Sequence, residues 1–523
     1  MVKELNGQDD SIKLFSTTAS LSNDSPRNFS EAMKGENRKA WKEAMDNELA
    51  SLKTMDVWVE VPENWANQVL GTRWVYTSKR DPAGNIIRHK ARVVVQGYRQ
   101  IQGLNFDETF APTPTFASLR SLFAIASANG WEVQTFDVTT AYLHSSIAEY
   151  IFVRPPPGLS VLSGTVLKLR KALYGLKQAG RCWWRHLRAI LERLGFQAND
   201  EDQSTYTYNK GEERAMLWMH VDDGVITASS KALMIRLRNV LSHEPKLKWD
   251  TGIHSVVGIN VRRIGNRFEL SQPALIRKLC NLSPSNITAE QPLPIINLSS
   301  EKAAKIDKEY LSRIGMLLYI AQATRPDIMF SVNFLARFSM NTTLKHWAAL
   351  DHLIAYMRGS MDKALVIQSN GQDKTLEVYI DANWGGEGSR SQHGFIVFLL
   401  GAPVAWNSKR QSCVASSTCQ AEYMAMSFVA KAGTWISRNI AAITGNITPI
   451  LLSDNQSAIK IAADSGSRKN SRHFQREFHL INEWVTNNHV RIKWISSENQ
   501  KADIFTKKLA KIKVDMFCKG IVV

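Results

Sequence analysis

Three observations predict a mixed α+β fold. The stretch Met216 to Ser229 sets two apolar, strand-like runs on either side of Asp222-Asp223-Gly224, the pattern of a β-hairpin with adjacent carboxylates at its turn. Upstream, Val133, Thr135 and Asp137 share one face of an alternating strand that gives way to a helical Ala141-Tyr142-Leu143. Downstream, Leu376 to Asp381 repeats the device of an alternating strand ending in an acid, and amphipathic helices lie between the strands. Strands that end in acids and are covered by helices define an α/β (α+β) chain.

Composition narrows what such a chain meets. The 523 residues allow three or four units of about 150 residues each, and 44% hydrophobic content is ample for packed cores. With 65 Lys and Arg against 48 Asp and Glu the formal charge is +17, as expected of a protein that binds a polyanion, most commonly nucleic acid. No uninterrupted apolar span of about 20 residues and no lipidation signal point to a membrane. The N-terminus lacks a signal-peptide pattern, so a cytoplasmic or nuclear chain that is not secreted is expected. Five scattered cysteines without a C-x-x-C or Cys/His cluster argue against a disulfide framework and a zinc module.

In chain order, residues 1 to 35 are rich in Ser, Asn and Asp and read as a flexible leader. Trp41, Met45, Leu49 and Leu52 then recur at helical spacing. From Gly71 to Gly97 two strand-like runs flank a turn at Asp81-Pro82-Ala83-Gly84-Asn85, and Lys90 and Arg92 fall on one face of the second run, candidates to meet a triphosphate. Asp137 alone would pass for a helix cap. With Asp222 and Asp223 it makes three carboxylates, enough to hold one or two divalent ions, set roughly 3.5–4 Å apart in a two-ion site, that align a 3′ hydroxyl with an α-phosphate. Arg154-Pro155-Pro156-Pro157-Gly158 is a rigid connector. Trp183, Leu187, Ile190, Leu191 and Leu194 form the buried stripe of a helix, and Gln178 just before it is a candidate contact to a nucleotide or template.

Residues 235 to 370 offer no convincing carboxylate cluster. The Phe330, Phe334, Phe338 stripe reads as helical core, and 281 to 309, rich in Ser, Pro, Asn and Lys, as a mobile connector. The second chemical unit orders its elements β-β-β-α-β-α-β-α. Asp381 ends its first strand, Glu422 follows a Ser417/Gln420 capping box, Asp454 ends the strand from Ile450, and Asp503 opens a helix after the strand Val490 to Ile495. Four acids on rigid elements suit two-metal phosphodiester hydrolysis. Asp464-Ser465-Gly466 reads as a helix-ending turn. His473 and His479, beside Arg468 to Arg472, are surface histidines available to a nucleic acid.

The succession Lys90-Ala91-Arg92-Val93-Val94, Phe136-Asp137-Val138 through Ala141-Tyr142-Leu143, Leu173-Tyr174-Gly175-Leu176-Lys177-Gln178-Ala179 and Val221-Asp222-Asp223 resembles the reverse transcriptase of copia-type (pseudovirus) LTR retrotransposons. From Leu376 onward the order of acids is similar to the RNase H domain that follows it. The resemblance runs from about Trp41 almost to the C-terminus. It implies a right-hand polymerase fold, with fingers and palm over 36–245 and a thumb and connection over 246–370, then an RNase H-like domain over 371–523. Asp137, Asp222 and Asp223 would be polymerase metal ligands, and Asp381, Glu422, Asp454 and Asp503 the ribonuclease set, with two Mg²⁺ or Mn²⁺ ions per active site. Tyr142 would exclude a ribose 2′-OH, Arg92 would face the triphosphate with Lys90 nearby, and Gln178 would lie under the nascent base pair.

The implied activities are RNA-directed DNA synthesis and hydrolysis of the RNA strand of an RNA–DNA hybrid. The implied partners are an RNA template, a DNA primer, deoxynucleoside triphosphates and the hybrid, with no membrane. A second copy, or polyprotein partners such as an integrase, is compatible with it, as is a cytoplasmic virus-like particle or the nucleus. His220 stands where that family usually has Tyr, Ser145 where it has Gly, and Gly180 where it has Pro. Without a Cys/His knuckle ahead of the polymerase, the chain reads as the C-terminal part of a polyprotein or a truncated copy. A derived nucleic-acid-binding protein that keeps the fold without turnover is the alternative reading.

Overall fold

The computed structural model describes residues 25–80, 85–242, 246–294, 307–369, 371, 374–385, 389–463 and 480–523. The turn at Asp81 to Gly84, the middle of the 281–309 connector, Asp464-Ser465-Gly466, Arg468 to Arg472, His473 and His479 lie outside them. Among the described residues, no helix is long and apolar enough to cross a membrane.

Residues 1–24 of the expected leader lie outside the described residues, and only its end is seen. Phe29–Lys34 is a short helix, because the Asn28 side chain accepts from Glu31 N at 2.9 Å while the Glu31 carboxylate accepts from Arg27 N at 2.8 Å, and Ala32 is buried beneath it. The Arg38–Thr54 helix follows. Its Trp41, Met45 and Leu52 are buried as their spacing predicts, in one cluster with Trp74, Tyr76, Ala91 and Val93.

Those partners belong to the hairpin of β3 and β4, which comes after two short strands: β1 (Trp58–Pro62), β2 (Val69–Leu70), β3 (Thr72–Arg80) and β4 (Ile86–Val95). β5 (Glu132–Val138) starts the central sheet, whereas β6 (Phe152–Val153) and β7 (Thr165–Leu169) return to a small sheet of order β1-β7-β6-β2. The central sheet is completed by β8 (Phe196–Ala198), β9 (Thr205–Lys210), β10 (Glu213–His220), β11 (Asp223–Ala228) and β12 (Leu247–Asp250), in the order β12-β5-β11-β10-β9-β8.

Both faces of this sheet are covered. Leu119, Leu122 and Phe123 of the Phe116–Asn129 helix cluster with Val133, Met216, Trp218 and Val225 on one face. Trp183, Leu187 and Leu191 of the Ala179–Arg193 helix cluster with Phe136, Leu217 and Ile226 on the other, so the predicted stripe packs against the sheet. Leu194 lies one residue past the helix, at its C-cap.

A third sheet, β13 (Ser255–Val256), β14 (Ile259–Ile264), β15 (Arg267–Ser271) and β16 (Leu365–Ile367), is interrupted by helices Pro273–Asn281, Lys308–Ala323, Met329–Ala336 and Leu344–Gly359. Phe330 stacks on Phe334 at 5.8 Å, and Phe334 meets Phe338 edge-on at 5.6 Å. Here the structure adds a buried charge pair. Arg325 donates to Asp327 at 2.9 and 2.7 Å, and Tyr356 donates to the same carboxylate at 2.8 Å. The pair is fully hydrogen-bonded, which is what allows it to be buried.

The last unit is a five-stranded sheet of order β19-β18-β17-β20-β21, from β17 (Leu376–Asn383), β18 (Arg390–Leu399), β19 (Ala402–Val414), β20 (Ile450–Ser453) and β21 (Arg491–Trp494). β17–β20 and β20–β21 are parallel and the other pairs antiparallel. The Thr418–Thr444 helix crosses the sheet, and helices Gln456–Ala463 and Leu480–Thr486 both precede β21, one more than expected.

This unit shares a core with the central sheet. Arg120 donates to the carbonyls of Val404 (2.7 Å), Gln322 (2.7 Å) and Ala323 (2.9 Å), and its guanidinium lies 3.8 Å over the Trp406 ring. Asn439 of the long helix donates at 2.8 Å to Ser118 Oγ, which donates at 2.6 Å to buried Asp202. The two acid-bearing sheets are therefore held in one arrangement.

Candidate functional sites

The first site is built by strand register. β11 pairs antiparallel with β5 so that Asp223 lies opposite Asp137, and β12 places Lys248 opposite Asp137 on the other side. The β10–β11 turn is Val221-Asp222, with His220 paired to Asp223. Val221 has φ of 59°, a left-handed conformation costly for a β-branched residue. Two bonds hold it there: Trp183 Nε1 donates to Val221 O at 2.6 Å, and Val138 N donates to Asp222 O at 2.8 Å. Gly224 is required by closeness, since a Cβ there would sit 2.3 Å from Phe136 Cζ in the facing strand.

Like charges directly opposite on a sheet repel, so a cation between Asp137 and Asp223 would be favourable. Asp137 is exposed and Asp222 and Asp223 are half-buried, which leaves them open to solvent. Hard carboxylate oxygens on a fixed turn fit a divalent ion. Beside them, Trp218 stacks on His220 at 6.1 Å, and burial lowers the His220 pKa while Asp222 opposes that shift.

Tyr142 feels the charges of both Asp222 and Arg92. Burial and then Asp222 raise its pKa while Arg92 lowers it, and its ring meets Tyr174 edge-on at 5.1 Å. Arg92 in turn sits 4.9 Å over the Tyr174 ring. Lys90 and Arg92 both act on Glu48, whose pKa is raised by burial and lowered by its bond from Val93 N and by the two cations. Gln178, the expected nucleotide or template contact, is tied into the fold just ahead of its helix. It is 1% exposed, accepts from Gln100 Nε2 at 3.0 Å and donates to Asn105 O at 2.8 Å, so both ends of its amide are engaged.

The second site is tighter. Asp381 near the end of β17, Glu422 on the long helix and Asp454 just after β20 bring carboxylate oxygens within 4.8 Å of one another. Among the described residues they are the one His/Cys/Asp/Glu group so drawn together, and the first three acids are not. Ser417 caps the helix by accepting from Gln420 N at 3.2 Å, but the Gln420 side chain accepts from Ser416 N and Oγ, both at 2.6 Å, rather than closing the box on Ser417. Glu422 Oε1 accepts from Ala382 N at 3.1 Å, while Glu422 Oε2 is buried without a partner. Burial, then Asp381 and Asp454, push the Glu422 pKa well above the usual carboxylate range, and burial also raises that of Asp381. An orphaned buried carboxylate oxygen among two more carboxylates fits a divalent cation.

Asp503 differs from expectation. It lies on the 3₁₀ turn Lys501–Phe505, outside the 4.8 Å group, and accepts from Lys507 Nζ at 2.9 Å. Lys507 also pairs with Asp381 at 3.3 Å, and Thr506 Oγ1 donates to Asp381. Lys507, Thr506 and Lys248 were not singled out from the sequence, and Trp183 was singled out only as core. The Asp503/Lys507 spacing of four was the available signal.

Residues 53–296 match the family described as reverse transcriptase (RNA-dependent DNA polymerase). The chain is 30% identical over 518 residues to the Retrovirus-related Pol polyprotein from transposon RE2 of Arabidopsis thaliana, covering 96% of this chain and 35% of that protein. It is 30% identical over 520 residues to the corresponding polyprotein from transposon TNT 1-94 of Nicotiana tabacum, covering 95% and 39%. It thus spans little more than a third of the length of these relatives. A solved structure described as the foamy viral protease-reverse transcriptase in complex with RNA/DNA hybrid aligns with 87% of this chain and 54% of that one, at 12% identity and a TM-score of 0.47. Residues 53–296 are thus similar to that family, and the described residues mix sheets and helices as predicted.

Proposed function

We propose, for a chain whose residues 53–296 form a reverse transcriptase family domain of the copia type, that it is an RNA-directed DNA polymerase with a second, ribonuclease H centre. One observation carries the polymerase reading: Asp137 and Asp223 face each other in register beside the Asp222 turn, inside the matched segment. The substrates are an RNA template, a DNA primer and deoxynucleoside triphosphates, and an RNA–DNA hybrid at the second centre. The proposed division is fingers and palm over 36–245, thumb and connection over 246–370, and the ribonuclease unit over 371–523.

Asp137, Asp222 and Asp223 would hold Mg²⁺ or Mn²⁺, two ions in the polymerase centre; when bound, the ions neutralise the triphosphate and lower the pKa of the primer 3′ hydroxyl. The chain's own residues supply position and selectivity. Arg92, held over the Tyr174 ring, presents a planar cation toward the site where a triphosphate would enter. Tyr142, packed against Tyr174, walls the space beside the sugar and so would select against a 2′-OH. Trp183 and Val138 keep the Asp222 turn from relaxing, which holds the carboxylates where the reaction needs them. At the second centre Asp381, Glu422 and Asp454 would take a divalent ion, Asp381 and Glu422 from buried positions and Asp454 from the solvent side.

Primer extension by the purified chain on a defined RNA template, with Mg²⁺ and deoxynucleotides, tests this. Extended product that vanishes with Asp222→Asn is expected. Salt-dependent binding of the template without extension would reject the polymerase reading.

A further inference from the structure

The second centre contains its own cation. Lys507 Nζ stands 3.3 Å from Asp381 Oδ2 and 2.9 Å from Asp503 Oδ1, so one ammonium bridges two of the four acids. The other two, Glu422 and Asp454, close with Asp381 into the group within 4.8 Å, and the buried orphan Glu422 Oε2 belongs to that side. Thr506 and Lys507 both turn toward Asp381 from the segment that carries Asp503, and Lys513 lies 3.9 Å from Asp503. Lys507 therefore neutralises the Asp381–Asp503 side of the site, whereas among the described residues neither Glu422 nor Asp454 forms an ion pair.

On the ribonuclease reading above, we propose that Lys507 takes the place of a second metal ion, so that this centre binds a single divalent ion on Asp381, Glu422 and Asp454. A divalent ion between Asp381 and Asp503 would have to displace the ammonium from both carboxylates and would meet its positive charge at contact distance. Lys507 is 39% exposed at its side chain, so it can be shortened without opening the core. Its role is positioning: it keeps Asp381 and Asp503 from repelling each other while Asp381 serves the one ion.

The test counts ions rather than turnover. In the full chain carrying Asp222→Asn and Asp223→Asn, Mn²⁺ titration followed by electron paramagnetic resonance of the free ion is expected to find one site. Lys507→Gln is expected to add a second site or tighten it by roughly tenfold or more, and Lys507→Arg to keep one. Two sites before and after Lys507→Gln would overturn the inference while leaving the metal centre intact. Loss of all binding with Glu422→Gln is the control, and binding indifferent to it would instead reject the metal centre on which the inference rests. Circular dichroism spectra and melting curves that match the parent chain establish that each variant is folded.

Discussion

Replacing Gly224 by Ala perturbs the proposed polymerase centre at the point where sequence and geometry are most tightly linked. The new Cβ would lie 2.3 to 2.7 Å from three atoms of the Phe136 ring, against about 3.4 Å for close van der Waals contact. One strand must retreat by about 1 Å. Phe136 has little room, being 4% exposed and 4.8 Å from Trp249. Overpacking of this kind costs about 1–3 kcal/mol. Because Gly224 adjoins Asp223, the displacement is transmitted to the Asp137/Asp223 pair, and a misplacement of about 1 Å at a reacting centre costs on the order of 10²-fold in rate.

Single-turnover primer extension with saturating nucleotide measures the rate, and urea denaturation measures the stability. Gly224→Ala should lose both, and Gly224→Ala combined with Phe136→Leu should recover much of the rate, since the smaller side chain opens the required space. A Gly224→Ala chain with parental rate and stability, or a double variant no faster than the single one, would refute the reasoning.

Three further outcomes follow from the same contacts. Trp183→Phe keeps the ring but loses the 2.6 Å bond to Val221 O; it should cost about 1–2 kcal/mol in urea denaturation and lower kcat for extension more than it raises KM for nucleotide. Glu422→Gln removes a charge from a buried acidic group while retaining the acceptor for Ala382 N; in chelator it should stabilise the chain by about 1–3 kcal/mol, yet abolish hybrid cleavage. Arg120→Met orphans the carbonyls of Val404 on β19 and of Gln322 and Ala323 at the end of the Lys308–Ala323 helix; it should destabilise by about 2–4 kcal/mol and split calorimetric unfolding into two transitions.

Much of this was legible from the chain because strands announce themselves locally. Period-two alternation and a turn signal located β5, β10 and β11, and an acid at the end of each run marked where carboxylates would gather. What escaped was everything decided by packing between distant segments. Gln178 reads as a polar residue ahead of a helix, and only the folded chain shows Gln100 and Asn105 consuming its amide. Trp183 was legible as core, but its indole bond to the Val221 turn joins segments 38 residues apart. The Arg325/Asp327 pair is two residues apart in sequence, yet its burial depends on Tyr356 and Ser360 from another helix and its end. The Phe29–Lys34 helix was overlooked although Asn28 and Glu31 stand at capping distance, because the polar composition around them reads as leader.

The central claim is that two separate acidic centres perform two reactions, and the most direct measurement assays both reactions on the same two variants. Asp222→Asn should abolish extension, by at least about 10²-fold, while leaving cleavage of the RNA strand of a hybrid near the parental rate. Asp381→Asn should do the reverse. If either substitution removed both activities in a chain that remained folded, the two-centre account would be contradicted.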